Sequence, residues 1–408
     1  MKKNVLIIGA GGVGSVVTHK CARHNDRLGD ICLASRTRAK CATIIENVHR
    51  KGNLRDKAKR LYARQVDAGR ITEVVRLIEE TRSEIVINVG TAFVNMSILE
   101  ACIETGAAYI DTAVHEDIEV LNAEYPWYAE FEWKRRERCQ QKGITAILGA
   151  GFDPGVVNAY CAYAVQHEFD IIREIDIMDV NAGDHGRFFA TNFDPEINLR
   201  EILEQVGCWE DRQWKECSPH SRSREFVFPE VGRRKVYLMG HDEVHSLSVN
   251  LDVDTVRFWM GFSDQYINCF NVLRNIGLLS HQPVTTAEGL DVVPLKVVKA
   301  CLPDPASLAP DYTGKTCIGN LIKGKKDGRE KAVFIYNICD HQQCYQEVGS
   351  QAVSYTAGVP PVAAALLIAD GRWDVRAMKN VEELDPDPFL QLLDTIGLST
   401  KIQYIPGE

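Results

Sequence analysis

The chain has 408 residues, 45% of them hydrophobic and 25% charged, which excludes a peptide or a disordered protein and predicts a soluble globular protein of two or three domains. No apolar run is expected to reach the roughly 18 residues of a membrane span, and the first apolar run stops at Gly9, as in a buried strand rather than a secretory signal. A net charge of -9 argues against a nucleic-acid partner, and thirteen scattered cysteines predict reduced thiols and a cytoplasmic location.

The charge is unevenly distributed along the chain. Between Lys20 and Arg70 there are fourteen Lys or Arg residues against five Asp or Glu, whereas between Glu168 and Glu204 there are three against ten. The first segment therefore favours an anionic cofactor, and the second favours a cationic substrate.

Residues 1–150 alternate short β-branched segments with amphipathic ones, which predicts an α/β domain of the Rossmann type, with a doubly wound parallel sheet. The segment Ile71–Ile78 keeps one apolar face and is predicted to be helical. The six predicted strands are 4–8, 31–34, 61–66, 85–89, 108–110 and 145–148.

Residues 151–347 have a different pattern, which predicts an α+β domain with a mixed sheet. Its predicted strands include 174–181, 226–231, 246–253, 256–262 and 332–339. Residues 348–408 read as helical again, and we expect them to return to the first domain. No internal repeat or low-complexity tract is present.

A glycine motif directly follows the first predicted strand and opens the first helix. In Gly9-Ala10-Gly11-Gly12-Val13-Gly14, the first glycine of the GxGxxG pattern permits a tight turn, the second lets the backbone approach a pyrophosphate, and the third allows helix and strand to pack closely. The helix N-terminus supplies N–H groups to the phosphates. The motif therefore predicts a dinucleotide cofactor.

The end of the second strand distinguishes the two nicotinamide cofactors. Ser35, Arg36 and Thr37 stand where an NAD-specific site places an acidic residue, and Arg36 is suited to pair with a 2'-phosphate. We therefore expect NADP(H). Further cofactor contacts are predicted at the carboxyl ends of the later strands, from Asp67, Thr91, Ala92, Asp111 and Thr112.

Several motifs resemble those of the saccharopine dehydrogenase family, and the likeness extends over essentially the whole chain. They are the glycine motif, Ser35-Arg36-Thr37, Gly151-Phe152-Asp153-Pro154-Gly155, and the C-terminal segments 355–360 and 381–389. The stretches 181–186, 190–193 and 195–198 resemble the carboxynorspermidine (carboxyspermidine) dehydrogenase branch in particular. The resemblance implies an NADPH-dependent homodimer in polyamine (spermidine) biosynthesis, in which residues 151–347 bind the substrate and form the dimer. It would reductively condense L-aspartate 4-semialdehyde with a diamine, either putrescine or 1,3-diaminopropane.

This chemistry requires a group that moves protons. His185 is the favoured candidate, since imidazole titrates near neutral pH, with Asp184 as its neighbour and Asp153 as a carboxylate after the sixth strand. Each also has a structural interpretation as a loop or helix-capping residue, and His115 is a weaker candidate. A metal is not required, and Cys339-Asp340-His341 with Cys344 lacks a second pair to complete a zinc site.

A dicationic diamine needs carboxylates, and the acidic stretch offers Asp176, Asp179, Asp184, Asp194 and Glu196. The carboxylate of the semialdehyde needs a guanidinium, for which Arg187, Arg200 and Arg257 are candidates. Thr191 and Asn192 are expected to add polar contacts.

Two other functions remain open from the sequence. A glutamate-forming saccharopine reductase uses the same imine chemistry but needs more cationic anchors, which the acidic stretch disfavours. The other alternative is a non-catalytic NADP(H)-binding regulator.

Overall fold

The computed structural model describes residues 2–117 and 124–406. Its strands, in chain order, are β1 (Val5–Ile8), β2 (Ile31–Ser35), β3 (Leu61–Gln65), β4 (Ile85–Asn88), β5 (Ala108–Ile110), β6 (Ala146–Leu148), β7 (Ile171–Asn181), β8 (Val206–Glu210), β9 (Gln213–Cys217), β10 (Ser223–Phe228), β11 (Gly232–Met239), β12 (Thr255–Gly261), β13 (Val284–Thr285), β14 (Asp291–Val292), β15 (Lys315–Lys326), β16 (Arg329–Asp340), β17 (Met378–Asn380) and β18 (Lys401–Ile405).

The helices connect these strands and cover both sheets. They are α1 (Gly12–Arg23), α2 (Arg38–Arg50), α3 (Ile71–Thr81), α4 (Asn95–Thr105), α5 (Trp127–Glu130), α6 (Arg136–Lys142), α7 (Val156–Tyr163), α8 (Pro195–Leu203), α9 (Asp242–Asn250), α10 (Asp264–Asn275), α11 (Pro294–Cys301), α12 (His341–Val348), α13 (Ala352–Gly358), α14 (Pro360–Ala369) and α15 (Pro386–Ile396). Short 3-10 or π turns occur at Ala92–Val94, Glu132–Arg135, Ala164–Glu168, Pro305–Asp311 and Val381–Glu383.

The first sheet is a seven-stranded parallel sheet in the order β17-β6-β5-β4-β1-β2-β3. Its central strands are buried on both faces, as β1 shows with exposures of 2% or less from Val5 to Ile8. Such strands need apolar side chains at every position, which is why they read as continuous runs. All six predicted strands are present, with ends that differ by one residue at most, and the predicted α/β fold class is confirmed.

The second sheet is mixed and has nine strands. Its main path is β10-β11-β12-β7-β15-β16-β18, and β8 with β9 pairs onto β12. Strand β7 lies parallel to β12 and antiparallel to the long β15. The carboxyl end of β7 therefore lies in the middle of the sheet, where loops from several elements converge.

One predicted strand of the second domain is wrong. Residues 246–253 lie largely in helix α9 (Asp242–Asn250) rather than in a strand. The alternation of Leu247, Val249 and Leu251 suggested a half-buried strand, but Val249 is 53% exposed, while Val244 and Leu247 are fully buried. The buried residues follow the helical period, and acidic side chains in the first turn favour the helix N-terminus.

The C-terminal segment joins both sheets. Strand β17 extends the parallel sheet beside β6, and α13 packs on α1. Strand β18, however, pairs with β16 of the second sheet, so the expected return to the first domain does not describe the final residues. The limits at residues 150 and 347 stay predictions.

The expectation that no apolar run reaches the length of a membrane span is wrong for residues 352–369. It spans 18 residues and is long and apolar enough, by length and composition alone, to cross a membrane. In the fold it forms α13 and α14, with 78% of the stretch buried inside the protein. Small residues in this stretch let helices approach closely, as in the core of a globular domain. Gly358, for example, packs directly against Val16 of α1.

Candidate functional site

The loop between β1 and α1 has the geometry that a dinucleotide requires. Gly9 has φ of +123°, and a Cβ atom there would lie 2.3 Å from the carbonyl oxygen of Val89. A Cβ atom on Gly14 would lie 2.0 Å from the carbonyl oxygen of Gly9. By contrast, a Cβ atom on Gly11 would meet nothing within 4 Å. The outer glycines are therefore required by the fold, whereas Gly11 leaves open space above the loop.

The start of α1 faces the same space. Gly11 is the N-cap of α1, and no side chain within the described ranges caps it. The N–H groups of the first turn, at Gly12 to Gly14, are available for an anion, and Val13 is half-buried beside them. The loop thus fits the pyrophosphate of a nicotinamide cofactor.

The segment after β2 lies next to this loop because β1 and β2 are neighbours in the sheet. The Thr37 N–H donates to Ser35 Oγ at 3.2 Å, which shapes a turn before α2. Arg36 lies at this turn with an exposed side chain. The arrangement presents a guanidinium at the strand end where the ribose phosphate of NADP(H) would lie.

The other predicted cofactor residues also follow strand ends, but their environments differ. Asp67, after β3, has a side chain that is 48% exposed. Thr91 and Ala92 follow β4, and the carbonyl oxygen of Ala92 lies 2.9 Å from His115 Nδ1, which holds that weaker catalytic candidate in a buried loop. The roles of these side chains in cofactor binding stay predictions.

Asp111 and Thr112 follow β5. Asp111 is fully buried, and its Oδ1 accepts the Gly149 N–H at 2.6 Å, which ties β5 to the loop after β6. Burial raises the pKa of Asp111 to about 7. Thr112 is half-buried, and a Cβ atom on Gly151 would lie 3.2 Å from its carbonyl oxygen. Contact of either residue with a cofactor stays a prediction.

Between the carboxyl edge of the first sheet and the second sheet lies a group of acidic residues that we call the acidic cleft. Its members come from separate elements: Glu116 after β5, Asp153 after β6, Asp179 on β7, Glu201 and Glu204 at the end of α8, and Asp242 and Glu243 at the start of α9. His241 and Arg200 are cationic side chains that act on these carboxyls.

Two contacts anchor the acidic cleft to the carboxyl edge of the parallel sheet, where the cofactor is expected to bind, which we call the nucleotide edge. Asp242 Oδ2 accepts the Val114 N–H at 2.8 Å, just beyond β5. The Arg200 guanidinium lies 5.6 Å from the ring centre of Phe93, in the turn after β4. The end of α8 and the start of α9 belong to the second domain, so these contacts bring its side chains to the end of the parallel sheet where ligands bind.

The electrostatics of the cleft favour a cationic ligand. Burial, and then the negative charge of Asp179, raises the pKa of Asp153 well above its ordinary value. Burial raises the pKa of Asp179 to about 7 and that of Asp242 to about 8. Burial, together with the negative charge of Glu116, raises the pKa of Glu204 to about 7. These carboxyls outnumber the cationic side chains His241 and Arg200 that act on them, and a bound ammonium group would supply further positive charge.

Aromatic rings border the cleft. Tyr125 stacks on Trp214 at 4.4 Å between ring centres, and Trp127 stacks on His245 at 4.5 Å. Burial, together with Glu216, raises the pKa of Tyr125 to about 12. These rings provide apolar area beside the carboxyls, which suits a methylene chain between two charges.

The predicted proton-transfer residues lie in two places. Asp153 belongs to the acidic cleft, together with Asp179, which is a predicted substrate-binding residue. His185 and Asp184 lie in the loop after β7, where Asp184 Oδ1 accepts the Gly186 N–H at 2.7 Å and His185 Nδ1 accepts the Arg187 N–H at 3.1 Å. The His185 ring packs edge-on against Tyr312, and burial lowers its pKa.

The predicted substrate contacts are spread similarly. Arg200 reaches the cleft, whereas Arg187 is exposed. Thr191 Oγ1 donates to the Phe193 carbonyl at 3.0 Å, and Asn192 Oδ1 accepts from the Tyr312 hydroxyl at 2.6 Å. The roles of these four residues in substrate binding stay predictions.

Three acidic candidates of the sequence have structural partners. Asp176 is buried and accepts from Arg224 and Arg257 at 2.7 Å each and from Trp259 at 2.8 Å. Asp194 caps α8 and, like Glu196, pairs with Lys299. Asp176 therefore binds Arg257, another substrate candidate, within the sheet.

The segment around Cys339 has no metal-site geometry. Across residues 2–117 and 124–406, no group of three or more His, Cys, Asp or Glu side chains is arranged to hold a metal ion. His341 Nε2 lies 2.9 Å from Asn181 Oδ1, and its Nδ1 accepts the Ala352 N–H at 3.1 Å, so this histidine joins α12 to β7 and α13.

Most residues of the acidic cleft could not be predicted from the sequence. Glu116, Glu201, Glu204 and the run His241-Asp242-Glu243 are far apart in the sequence, and only the fold brings them together. A usable signal was present in the run itself, since a histidine and two acids directly follow the strand that ends at Met239 and precede a helix.

The chain matches two family models along nearly all of its length. Residues 5–147 match the saccharopine dehydrogenase NADP binding domain, and residues 151–398 match the saccharopine dehydrogenase C-terminal domain. The chain is 52% identical over 405 residues to a carboxynorspermidine synthase from Vibrio alginolyticus, covering 99% of this chain and 98% of that protein.

Two other proteins are informative. A carboxyaminopropylagmatine dehydrogenase from Synechocystis is 45% identical over 395 residues, covering 97% of this chain and 96% of that protein. The structure of apo saccharopine dehydrogenase (L-Glu forming) from Saccharomyces cerevisiae superposes with a TM-score of 0.71 at 13% identity, covering 99% of this chain and all of that one, which shows a shared fold.

Proposed function

Because the chain belongs to the saccharopine dehydrogenase family and is an oxidoreductase with a nicotinamide-binding domain, we propose that it joins L-aspartate 4-semialdehyde to a diamine by NADPH-dependent reductive condensation. The diamine is putrescine or 1,3-diaminopropane, and the product is carboxyspermidine or carboxynorspermidine, in polyamine biosynthesis. The observation that carries the proposal is the acidic cleft beside the nucleotide edge.

The cofactor preference follows from the β2 end. Arg36 is exposed where the adenosine ribose of a dinucleotide would lie, and a guanidinium there favours the 2'-phosphate of NADP(H). When bound, the reduced cofactor supplies the hydride that captures a carbon–nitrogen double bond. The protein supplies binding, orientation and proton transfer.

The residues of the cleft perform the remaining tasks. The carboxyls of Asp179 and Glu201 attract the ammonium groups of the diamine. Burial beside Asp179 raises the pKa of Asp153, so that this carboxyl is more readily protonated and is a candidate for proton exchange. Arg200, at the nucleotide edge, binds the carboxylate of the semialdehyde. His185 and Asp184, in the loop after β7, remain candidates for proton transfer, and Arg187, Thr191 and Asn192 for substrate contacts.

The same cleft disfavours the glutamate-forming alternative. Glutamate brings two carboxylates, which would meet further carboxyls at Glu116, Asp153 and Asp179. The name of the Synechocystis relative gives a second candidate amine, agmatine, whose guanidinium is also cationic. In this proposal the enzyme is a homodimer, because its second domain binds a second copy of the chain.

The test is a panel of amines assayed by the loss of NADPH absorbance with L-aspartate 4-semialdehyde. We expect turnover with putrescine or 1,3-diaminopropane. Turnover with agmatine alone would move the proposal to the activity named for the Synechocystis relative. Turnover only with glutamate and aminoadipate semialdehyde would overturn it.

Substitutions of the carboxylates in the acidic cleft test whether these groups bind the diamine. Asp179→Asn and Glu201→Gln should each raise the KM for the diamine roughly 10- to 150-fold, since a charged hydrogen bond contributes about 1.5–3 kcal/mol. The KM for NADPH should not change. The control is Glu225→Gln, an exposed carboxylate paired with Arg233, which should leave both constants unchanged. Equal effects in the three variants would contradict the assignment of the cleft.

A further inference from the structure

His241 stands at the centre of the acidic cleft, at the N-cap of α9. Its ring stacks on Phe258 of β12, with 3.9 Å between ring centres and 15° between planes. Its Nδ1 lies 2.5 Å from Glu243 Oε2, and its Nε2 lies 3.3 Å from Glu201 Oε1. The imidazole is therefore held in one orientation, with a carboxylate at each nitrogen.

Of the two carboxylates that contact His241, that of Glu243 is the more deeply buried. Its side chain is fully buried, and its second oxygen, Oε1, has no hydrogen-bond partner among the described residues. A carboxylate buried for stability alone normally has all its oxygens satisfied, because an unsatisfied one is costly. The pairing with His241 thus favours a role in which the imidazole must stay charged and in place.

The proposed reaction needs such a group. The incoming diamine must lose a proton from one ammonium before its nitrogen attacks the aldehyde carbon, and this forms a carbinolamine. The carbon–oxygen bond then breaks as the hydroxyl takes up a proton and leaves as water, and the nitrogen lone pair forms the iminium bond. The proton lost in the first step balances the proton taken up in the second.

We propose that His241 is the proton-transfer residue of this condensation, donating to the departing hydroxyl and regaining its proton from the ammonium through Glu201. This inference rests on the proposed function. Glu201 is placed for the relay because it contacts the nitrogen that Glu243 does not hold. Glu243 is a positioning residue, which orients the ring and stabilises its charge.

The surrounding charges are consistent with a proton donor. Burial would lower the pKa of His241, but Glu243 and Glu201 outweigh it and raise the pKa well above its ordinary value. Other titratable groups that interact with the ring are Asp153 after β6, Asp179 on β7, and Asp242 and His245 on α9. The two carboxylates therefore favour the imidazolium form, and activity should fall as pH rises through the pKa of His241.

The experiment compares His241→Gln, Glu243→Gln and wild type in pH-rate profiles. His241→Gln should lower kcat by about 10²- to 10⁴-fold, with an unchanged KM for NADPH, and should abolish the basic limb. Glu243→Gln should move that limb to lower pH, because it removes a negative charge that raises the pKa. The control His167→Gln, which breaks an exposed pair with Asp387, should change neither kcat nor the limb.

Two further measurements separate this role from a structural one. Added imidazole should restore part of the kcat of His241→Ala, since the vacated space lies over Phe258, and NADPH binding followed by fluorescence should be unchanged in this variant. In ¹⁵N-histidine NMR of the protein without cofactor, the resonance missing from His241→Gln should titrate above the ordinary histidine range and shift on adding putrescine.

The outcomes distinguish this inference from the function on which it rests. A wild-type enzyme that ignores every diamine contradicts the proposed function. An active wild type, together with a His241→Gln variant that keeps its kcat and its basic limb, overturns the role of His241 alone. A loss confined to His185→Gln would also overturn it.

Discussion

Substitution of Gly11 by alanine separates cofactor binding from folding. The added methyl group meets no atom within 4 Å in the protein, and the residue lies in extended backbone with φ of -91°, which alanine adopts. The free energy of unfolding should therefore change by no more than about 1 kcal/mol, mostly through the N-cap. The same methyl group occupies the space where the pyrophosphate of the cofactor would lie.

The expected loss of affinity follows from overpacking. Forcing an extra methyl group into a packed contact costs about 1–3 kcal/mol, which corresponds to a Kd for NADPH raised roughly 5- to 150-fold. The comparison variant is Gly14→Ala, whose Cβ atom would lie 2.0 Å from the Gly9 carbonyl oxygen. That variant should lose about 3 kcal/mol or more of stability, because backbone must move.

Fluorescence titration with NADPH and urea unfolding give the two quantities for both variants. An unchanged Kd in Gly11→Ala would refute the placement of the cofactor over this loop. A loss of stability equal to that of Gly14→Ala would refute the geometric argument, since the open space would then belong to the fold.

Two other perturbations test separate parts of the protein. Arg36→Ala should raise the KM for NADPH much more than that for NADH, and an equal rise would contradict the role of the guanidinium at the β2 end. Asp176→Asn should lower the free energy of unfolding by about 3 kcal/mol at pH 7, because it removes the buried carboxylate between Arg224 and Arg257. Burial would raise the pKa of Asp176, but the two guanidinium groups outweigh it and lower the pKa, so this contribution is present above pH ~4 and is lost as pH falls through the native value. Wild type and variant should therefore converge in urea unfolding at low pH, and a constant difference would contradict the argument.

The first domain could be predicted from the sequence because its signals are local. Strands such as Val5–Ile8 are continuous apolar runs, and the glycines between β1 and α1 stand at fixed spacings that a turn and a helix start require. Neither signal depends on contacts with distant residues. The positions of the strand ends, and of the residues that follow them at the nucleotide edge, could therefore be predicted as well.

The second domain shows where local reasoning fails. Residues 246–253 alternate like a strand, but the burial of Val244 and Leu247 in α9 determined their structure. The acidic cleft was only partly visible, through Asp153, Asp179 and Arg200. Asp176, equally acidic in the sequence, pairs with arginines inside the sheet, whereas His241 became prominent only when the fold placed it between Glu201 and Glu243.

The most direct test of the proposed reaction is its stoichiometry. Purified protein is mixed with NADPH, L-aspartate 4-semialdehyde and putrescine or 1,3-diaminopropane, and the secondary amine is quantified by mass spectrometry alongside the oxidised cofactor. We expect one carboxyspermidine or carboxynorspermidine for each NADPH consumed, and neither product when the aldehyde or the diamine is omitted. Oxidation of NADPH that needs no amine, or that yields no secondary amine, would contradict the account.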